Sequence, residues 1–361
     1  MKITIDVRKI HDSGVGTYIT NLVPLVIQAM PAAHFYLLGR VDDLKQQPWT
    51  QAANITLVDM QSRPYSVREQ AELLRKIPID TDLLWVPFIN IPLLYRGKML
   101  VTVCDVAFLA LPQFLSLSQR LYARLMFTAI RHKADQILCI SDFTKHEFMR
   151  LVPGQKSNIT TTLLGTPPQW FHVQPIHRPH PKPYFLFVGN VKPHKNLGRL
   201  IGAFRQIADR IPHDLVIVGR KEGFIISDQA VLDSQAALGD RVVFTGYIEE
   251  ATLQQYFAHA AALVFPSLYE GFGIPALEAM ACGCPTIVSN STSLPEVCGD
   301  AVLYCDPYSV QDIARQMLRL ATDEILRAEL IAKGKHRAYE LTYEQCALKT
   351  IDIVKRCIGS I

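Results

Sequence analysis

The residues with the clearest chemical potential lie in residues 261–285, AALVFPSLYEGFGIPALEAMACGCP. Glu270 stands at the start of a glycine-rich turn, and Glu278 follows it in a run of helix-forming residues. A carboxylate accepts hydrogen bonds from both hydroxyls of a vicinal diol, the group that riboses and hexoses carry. The glycines let the backbone approach a ligand closely, and a helix N-terminus attracts an anion. The stretch suits a nucleotide-sugar, which has phosphates in its middle and a sugar at each end; the alternative is a capped turn with two surface glutamates.

Local sequence signals place the two glutamates on a strand, a turn and a helix in succession. The apolar run Ala262–Phe265 has the length of a short buried strand. Pro275 opens the following helix and Gly283 ends it, which is the usual asymmetry of these residues at helix termini. The turn between strand and helix is therefore the segment that could contact a ligand.

A diphosphate between two carboxylates needs cations and N–H donors nearby, because like charges repel one another. Lys195 or Lys192, together with Arg220, could supply the cations, and the backbone amides of Gly271–Ile274 could supply the donors. Ligands of open α/β sheets bind beyond the carboxyl ends of the strands. The residues that follow predicted strands in this half of the chain are Lys195, Arg220, Tyr247 and Glu270.

The alternation of apolar segments with helical patterns predicts an α/β protein with two doubly wound parallel sheets. The first predicted strands are Ile3–Val7, His34–Gly39, Asn54–Asp59, Leu83–Pro87, Met99–Val103 and Gln136–Ile140, with helices from near Thr17 and over 67–77, 118–133 and 142–151. The proline-rich residues 166–183 predict a linker. The strands predicted after it are Tyr184–Gly189, Asp214–Gly219, Arg241–Gly246, Ala262–Phe265, Pro285–Ser289 and Ala301–Tyr304.

Composition excludes several classes of protein. A chain of 361 residues, 49% of them hydrophobic, is long for a single core, so two domains are expected. No apolar run approaches the ~20 residues of a membrane-spanning helix, and the N-terminus has the pattern of a strand rather than a signal peptide. The eight cysteines lack the spacing of a zinc site, which predicts free thiols and a cytoplasmic protein. No segment resembles a nucleic-acid-binding module.

Positive charge is concentrated in the first half of the chain. Residues 1–173 hold 18 Lys and Arg against 13 Asp and Glu, whereas the remainder holds 19 against 20. Such a surface could face an anionic membrane or an anionic acceptor, or it could be solvated without a partner. The predicted helix Ser118–Lys133 carries Arg120 and Arg124 among its leucines, and it could lie on a membrane surface or present an ordinary basic outer face.

In these motifs the chain resembles the retaining glycosyltransferases of family 4, which have the GT-B fold. That family has two glutamates separated by seven residues, as in Glu270-Gly271-Phe272-Gly273-Ile274-Pro275-Ala276-Leu277-Glu278, and the similarity extends to Pro285. Further similar segments are Val188-Gly189-Asn190, Pro193-His194-Lys195-Asn196, Phe244-Thr245-Gly246-Tyr247-Ile248, Leu294-Pro295-Glu296 and Gly14-Val15-Gly16-Thr17-Tyr18. The resemblance covers essentially the whole chain and is greatest to bacterial enzymes of O-antigen and polysaccharide assembly, many of which use GDP-mannose.

The resemblance implies a division of labour around a nucleotide-sugar donor. Glu278 would hold the nucleotide ribose, Glu270 the donor sugar and Lys195 the diphosphate. Gly16, from the first domain, would close over the phosphates. The remaining residues implied for the donor site are Asn190, Arg220, Tyr247, Ile248, Gly271, Phe272, Gly273 and Ile274. The catalytic candidates are Glu270, Lys195 and Asp105.

The resemblance also implies the domain arrangement and the reaction. Residues 1–168 would bind the acceptor and residues 169–342 the nucleotide-sugar, facing each other across a cleft, with a last helix at about 343–361 returning to the first domain. The reaction would transfer a hexose, with mannose from GDP-mannose as the leading candidate, to a polysaccharide or lipid-linked acceptor, with retention. No metal ion or other cofactor is implied, because no Asp-x-Asp with a supporting ligand set is present.

Two departures from the family pattern keep other functions open. Cys104-Asp105 stands where relatives carry His-Asp, and Asn190 stands where many carry Arg. A sugar-nucleotide-binding protein with altered or lost activity, or a GT-B epimerase or phosphorylase, is therefore an alternative. A nicotinamide oxidoreductase is suggested by Gly14-Val15-Gly16, although the third glycine and the ribose-binding acid of that fingerprint are missing.

Overall fold

A computed structural model of the chain describes residues 1–154, 158–219 and 238–359. The chain forms two compact units, one made of Met1–Gly165 with Tyr343–Ile361 and the other of Thr166–Thr342. Each unit contains one sheet in which every pair of neighbouring strands is parallel. The predicted α/β class with two doubly wound parallel sheets is confirmed.

The sheet of the first unit has seven strands in the order β3-β2-β1-β4-β5-β6-β7. The strands are β1 (Lys2–Asp6), β2 (His34–Gly39), β3 (Ile55–Asp59), β4 (Leu83–Val86), β5 (Met99–Val103), β6 (Gln136–Cys139) and β7 (Asn158–Thr161). The helices are α1 (Ser13–Ala29), α2 (Val41–Lys45), α3 (Val67–Lys76), α4 (Ala107–Ala110), α5 (Leu117–Lys133), α6 (Asp142–Leu151) and the C-terminal helix Tyr343–Gly359. The chain reverses its direction of travel across the sheet between β1 and β4, which makes their carboxyl ends the topological switch point.

The sheet of the second unit repeats this winding with six strands in the order β10-β9-β8-β11-β12-β13. The strands are β8 (Tyr184–Val188), β9 (Asp214–Val218), β10 (Val242–Gly246), β11 (Ala262–Phe265), β12 (Thr286–Ser289) and β13 (Leu303–Cys305). The helices are α7 (Leu197–Ile207), α8 (Glu250–His259), α9 (Ile274–Ala281), α10 (Leu294–Cys298), α11 (Val310–Thr322) and α12 (Glu324–Glu340). Here the switch point lies between the adjacent strands β8 and β11.

Burial explains why short apolar runs form the central strands. Every residue of β8, β9, β11 and β12 is buried, as expected for parallel strands covered by helices on both faces. Phe185 and Phe187 of β8 pack with Phe204 of α7 in the core of the second unit. Among the described residues, none of the helices combines the length and the apolar composition needed to cross a bilayer.

Two local features of the first unit differ from prediction. Helix α1 begins at Ser13 rather than near Thr17, with a break at Gly14, whose φ of 14° is not helical. A Cβ on Gly16 would lie 2.4 Å from the carbonyl oxygen of Ile10, so the close approach that the glycine pair permits is to the chain's own loop. Strand β7 was not predicted, because its sequence Asn-Ile-Thr-Thr is short and polar.

The proline-rich residues 166–183, predicted as a linker, pack on the second unit. The Thr166 amide donates to the carbonyl oxygen of Leu341 at 2.8 Å. Trp170 is only 2% exposed, and its ring centroid lies 5.7 Å from that of Phe257. The aromatic side chains between the prolines thus anchor a segment that has no regular pairing in the sheet.

Trp170→Ala tests whether this segment is part of the core. Removal of a buried tryptophan should lower the free energy of unfolding of the second unit by about 3–5 kcal/mol, because apolar contacts are lost and a cavity is left. Ile176, in the same segment, is 85% exposed, so Ile176→Ala should change stability by less than about 0.5 kcal/mol. Urea unfolding compares the two variants; equal small effects would show that the segment is a free linker.

Candidate active site

Two of the predicted site residues meet at the switch point of the second sheet. Lys195 lies in the turn after β8, and Glu270 lies in the loop after the neighbouring strand β11. The Leu268 amide donates to the carbonyl oxygen of His194 at 2.7 Å, and the Asn196 side-chain amide donates to that of Pro266 at 2.9 Å. These bonds fix the two loops to each other and therefore fix the distance between the two charged side chains.

Lys195 and Glu270 form an ion pair within this loop cluster. The Lys195 Nζ lies 2.6 Å from Glu270 Oε1, and both side chains are mostly buried. The same ammonium lies 5.0 Å from the centroid of the Phe265 ring. A charge-assisted hydrogen bond in a partly desolvated place is stronger than one at the surface. The lysine is thus held at the edge of the sheet, where a ligand anion could replace its carboxylate partner.

The neighbouring His194 does not add a second positive charge. Burial, and then the positive charge of Lys195, lowers the pKa of His194 to about 4. The imidazole is therefore neutral at physiological pH. Among the described residues of the β8 turn, the cations are Lys192, which is exposed, and Lys195, which is held in place.

The glycine turn places the start of α9 beside this ion pair. Gly273 is the residue before α9 and has a φ of +105°, and a Cβ there would lie 2.5 Å from Leu294 Cδ2. The left-handed φ favours a glycine here, and a larger residue would also have to displace the end of the Leu294 side chain. The Phe272 side chain is buried, so a ligand can meet the Gly271–Ile274 stretch mainly through its backbone. The first turn of α9 directs N–H groups and the positive end of the helix dipole out of the sheet edge.

Glu278 is a buried carboxyl group with no partner among the residues that the structure describes. Its residue is 9% exposed, and within the described residues its side chain makes neither a hydrogen bond nor an ion pair. Burial, and to a lesser extent the nearby charge of Glu250, raises the pKa of Glu278 to about 8. Such a group is costly for the fold, because an isolated charge is poorly solvated in the protein interior. A ligand with hydroxyl donors would satisfy it.

Three other predicted donor residues of the second unit follow the strands β8 and β10 at the same edge. Tyr247 follows β10 and is exposed, and Ile248 beside it is half-buried. Asn190 is half-buried and follows Gly189 at the end of β8. Arg220 lies outside the described residues. Among those that are described, no group of three or more His, Cys, Asp and Glu side chains is arranged to hold a metal ion.

Two predicted site residues, Gly16 and Asp105, lie in the first unit. Gly16 lies in α1 and contacts the Lys9–Ile10 backbone. Asp105 Oδ1 accepts a hydrogen bond from the Ala107 amide at 2.9 Å, before α4. Cys104, beside Asp105, directs its Sγ to the carbonyl oxygen of Pro87 at 3.8 Å, and burial raises the pKa of its thiol.

Sequence reasoning missed residues that support the site from behind. Asn196 is buried with a left-handed φ of +62°, and it bridges the carbonyl oxygens of Pro266 and Pro307 at 2.9 and 2.7 Å. The Ser293 hydroxyl donates to the backbone carbonyl oxygen of Glu270 at 3.0 Å. Asn196 ends the segment Pro193-His194-Lys195-Asn196, which resembles the family. That position beside Lys195 could have indicated a role for Asn196 in the site. Ser293 carries no such local signal, because its partner is distant in sequence.

Comparison with known proteins identifies the class that this fold and site define. Residues 168–337 match the family model described as "Glycosyl transferases group 1". The chain is 31% identical over 271 residues to the O-antigen chain mannosyltransferase B of Escherichia coli, covering 72% of this chain and 70% of that protein. The chain belongs to the group 1 glycosyltransferases, and the prediction of a glycosyltransferase is confirmed.

Two further proteins show the extent of the similarity. The serotype-specific mannosyltransferase WbdA of Escherichia coli is 32% identical over 195 residues, which are 52% of this chain but only 24% of that longer protein. HepE from Anabaena, solved in complex with UDP-glucose, superposes with a TM-score of 0.76 at 15% identity, covering 98% of this chain and 99% of that one. The GT-B fold predicted from the sequence is confirmed.

Glu278→Gln should make the protein more stable, and the gain should depend on pH. Between about pH 4.5 and pH 8 the unfolded carboxyl is ionised while the native one keeps its proton, so the free energy of unfolding falls as pH rises. The uncharged amide of the variant removes that cost. The free energy of unfolding of Glu278→Gln should therefore exceed that of the wild type by on the order of 3–5 kcal/mol above pH 8 and by almost nothing below pH 4.5.

Urea unfolding of the wild type and the variant across this pH range measures the effect. Glu249→Gln is the matched control, because Glu249 is an exposed glutamate before α8. A pH-independent difference for Glu278→Gln, or an equal gain for the control, would contradict the assignment of a buried unpaired carboxyl.

Proposed function

We propose that the protein transfers mannose from GDP-mannose to a hydroxyl of a growing polysaccharide or lipid-linked saccharide, with retention of anomeric configuration. The observation that carries the proposal is the buried Glu278 carboxyl, which has no partner within the described part of the chain and lies on the helix that follows the Glu270–Gly273 turn. A pair of ribose hydroxyls would satisfy that group. The names of the similar mannosyltransferases of Escherichia coli support mannose as the sugar, and the UDP-glucose complex of HepE supports a nucleotide-sugar as the donor.

Donor binding in this proposal is an exchange of partners at Lys195. The diphosphate would take the ammonium that Glu270 now holds at 2.6 Å, and the released carboxylate would accept hydrogen bonds from hydroxyls of the donor sugar. The Gly271–Ile274 backbone at the start of α9 would meet the distal phosphate. Tyr247, Ile248, Asn190 and Arg220 are proposed around the nucleotide, and Gly16 at the phosphates.

The proposed reaction breaks the bond between the sugar C1 and the phosphate oxygen and forms a bond from C1 to the acceptor oxygen. The acceptor hydroxyl proton goes to the departing diphosphate. Positive charge develops on the sugar ring and negative charge on the leaving group, so catalysis rests on positioning and on stabilising that negative charge. Lys195 and the first turn of α9 would do this without a metal ion or other cofactor. Asp105 is the candidate of the first unit for the reaction centre.

Nucleotide binding provides the test of this function. GDP should raise the melting temperature more than UDP or ADP does, because a ligand that binds only the native state stabilises it. Lys195→Ala should weaken GDP binding by about ten-fold, or about 1.4 kcal/mol, since the diphosphate loses its cation. Lys333→Ala is the matched control, because Lys333 is a half-exposed lysine that pairs with Asp300 and Glu329 on the same unit.

Mannose transfer from GDP-mannose to a mannose-containing oligosaccharide completes the test. A glycosyltransferase forms product only when the acceptor is present. An epimerase would convert the donor without an acceptor, and a binding protein would neither transfer the sugar nor convert the donor. No shift with any of the three nucleotides, or equal losses for Lys195→Ala and Lys333→Ala, would contradict the proposed donor site.

We further propose that helix α5 of the first unit docks on the anionic inner face of the cytoplasmic membrane. Leu117, Leu121 and Leu125 are exposed at a four-residue spacing, so they share one face of the helix, while Met126 and Phe127 face the core. Arg120 and Arg124 flank the exposed leucines. No acidic residue lies between Asp105 and Asp135. An exposed apolar face flanked by arginines, on a helix without acidic residues, suits an anionic lipid surface.

A vesicle-binding assay tests the docking helix. The protein should co-sediment with vesicles that contain phosphatidylglycerol and much less with phosphatidylcholine alone, and Leu121→Asp with Leu125→Asp should lower the binding about ten-fold or more. Leu348→Asp is the matched control, because Leu348 is 69% exposed on the C-terminal helix and Leu121 is 68% exposed. Absence of vesicle binding, or an equal loss for the control, would refute the proposal.

A further inference from the structure

The first unit contains a buried polar cluster at its own topological switch point. Arg8 follows β1, Asn90 follows the adjacent strand β4, and Glu69 lies in the first turn of α3. Asp6, Glu69 and Asn90 are fully buried, and the Arg8 side chain is nearly so. Ligands of open α/β sheets bind at this position relative to the strands.

The cluster is fully connected by hydrogen bonds. Arg8 Nε donates to Asp6 Oδ1 at 2.8 Å, and its second terminal nitrogen donates to Asp6 Oδ2 at 2.6 Å. Arg8 also pairs with Glu69 Oε1, to which the Asn90 side-chain amide donates at 2.5 Å. Burying these charges is expensive unless each is satisfied, and a satisfied network is rigid. The cluster is therefore able to hold other groups in fixed positions.

Two tyrosines are the groups that this cluster holds. The Tyr65 amide donates to Glu69 Oε2 at 2.6 Å, and the Tyr122 hydroxyl donates to Asn90 Oδ1. The two rings meet edge to face with their centroids 5.8 Å apart. Glu69 thus holds the backbone of Tyr65, Asn90 holds the hydroxyl of Tyr122, and the two rings contact each other.

Tyr65 is held in a conformation that a tyrosine rarely adopts. Its φ is +66°, in the left-handed region, where a residue with a Cβ pays roughly 1 kcal/mol or more. The strain does not serve burial, because the residue remains 50% exposed. Lys9 Nζ lies 4.9 Å from the Tyr65 ring centroid and is itself paired with Asp12 at 2.7 Å. Tyr65 therefore presents an aromatic face to solvent, with Tyr122 and Lys9 against its ring.

The charges decide which ligand such a face fits. Arg8 is matched by two carboxylates and Lys9 by one, so the cations of the cluster are already paired. A phosphate would have to displace one of these carboxylates, whereas a neutral sugar ring can lay its C–H face on an aromatic ring and direct its hydroxyls to polar groups at the edge. We propose that Tyr65, oriented by Glu69 and flanked by Tyr122 and Lys9, is a stacking platform for a sugar ring of the saccharide acceptor. The inference rests on the proposed transfer to a saccharide.

Tyr65→Gly removes the aromatic ring and leaves the backbone conformation accessible, so it tests the contribution of the ring alone. Glycine adopts a φ of +66° without strain, so the loop can keep its path while the aromatic face is lost. The probe is α-mannobiose, observed by saturation-transfer NMR. The wild type and Tyr65→Phe should transfer saturation to its ring protons, and Tyr65→Gly should lose at least about 80% of that signal, because the stacking contact is absent.

The matched control is Tyr339→Ala, since Tyr339 is a 54% exposed tyrosine of the second unit that stacks on Phe171. It should leave the signal unchanged. Absence of saturation transfer from the wild type to α-mannobiose overturns the proposal, and so does equal transfer from the wild type and from Tyr65→Gly. The GDP-induced rise in melting temperature, measured on the same samples, reports on the donor site separately. If GDP does not raise the melting temperature of the wild type, that result counts against the proposed donor and not against the stacking platform.

Discussion

The ion pair between Lys195 and Glu270 is the interaction on which the carboxyl edge of the second sheet depends. Two loops that follow adjacent strands converge there, and the bonds from Leu268 to His194 and from Asn196 to Pro266 hold them together. An unpaired lysine in so buried a place would be costly, and so would an unpaired glutamate. Each side chain compensates the charge of the other and holds it in position. The same pair therefore stabilises the fold and holds ready the two groups that the proposed donor would separate.

The environment of Glu278 contrasts with that of Glu270. Its carboxyl has no partner among the described residues, and its pKa is raised to about 8. The fold bears a cost at a position where a leucine or glutamine would be cheaper, which is typical of a group kept for a ligand. A ligand would therefore meet the two carboxyl groups differently. At Glu270 it would have to replace Lys195 as the partner of the carboxylate, whereas at Glu278 it would supply hydrogen bonds that the described residues do not.

Much of the fold was predictable because its determinants are local. Continuous apolar runs with the length of a strand gave β8, β9 and β11, and the paired glutamates with their glycine turn indicated the class of enzyme. The polar strand β7 was missed because its pairing with β6 depends on a neighbouring strand rather than on its own composition. Residues 166–183 look like a linker because their prolines are visible in the sequence, whereas the contact of Trp170 with Phe257 is not.

The supporting residues of the sites were the least predictable part. Ser293 bonds to Glu270 and Glu69 bonds to Tyr65 through contacts that only the folded chain brings about, and nothing in the sequence marks Tyr65 as a residue with a left-handed backbone. The charges of the proposed donor site, in contrast, were predicted from the chemistry of the proposed ligand, because a diphosphate between two carboxylates requires a cation. The sequence therefore indicated candidate groups, and the structure showed the partners of Lys195 and Glu270.

The central claim is that the Glu278 carboxyl awaits the hydroxyls of a nucleotide ribose, and proton release on binding tests it most directly. At neutral pH the ligand-free carboxyl holds a proton, because its pKa is about 8, and accepting two hydroxyl hydrogen bonds favours the ionised form. Titration calorimetry with GDP, in buffers of different ionisation enthalpy, counts the protons released on binding. At saturating GDP the wild type should release about one proton more per GDP than Glu278→Gln does. The same proton count for the two proteins would contradict the claim.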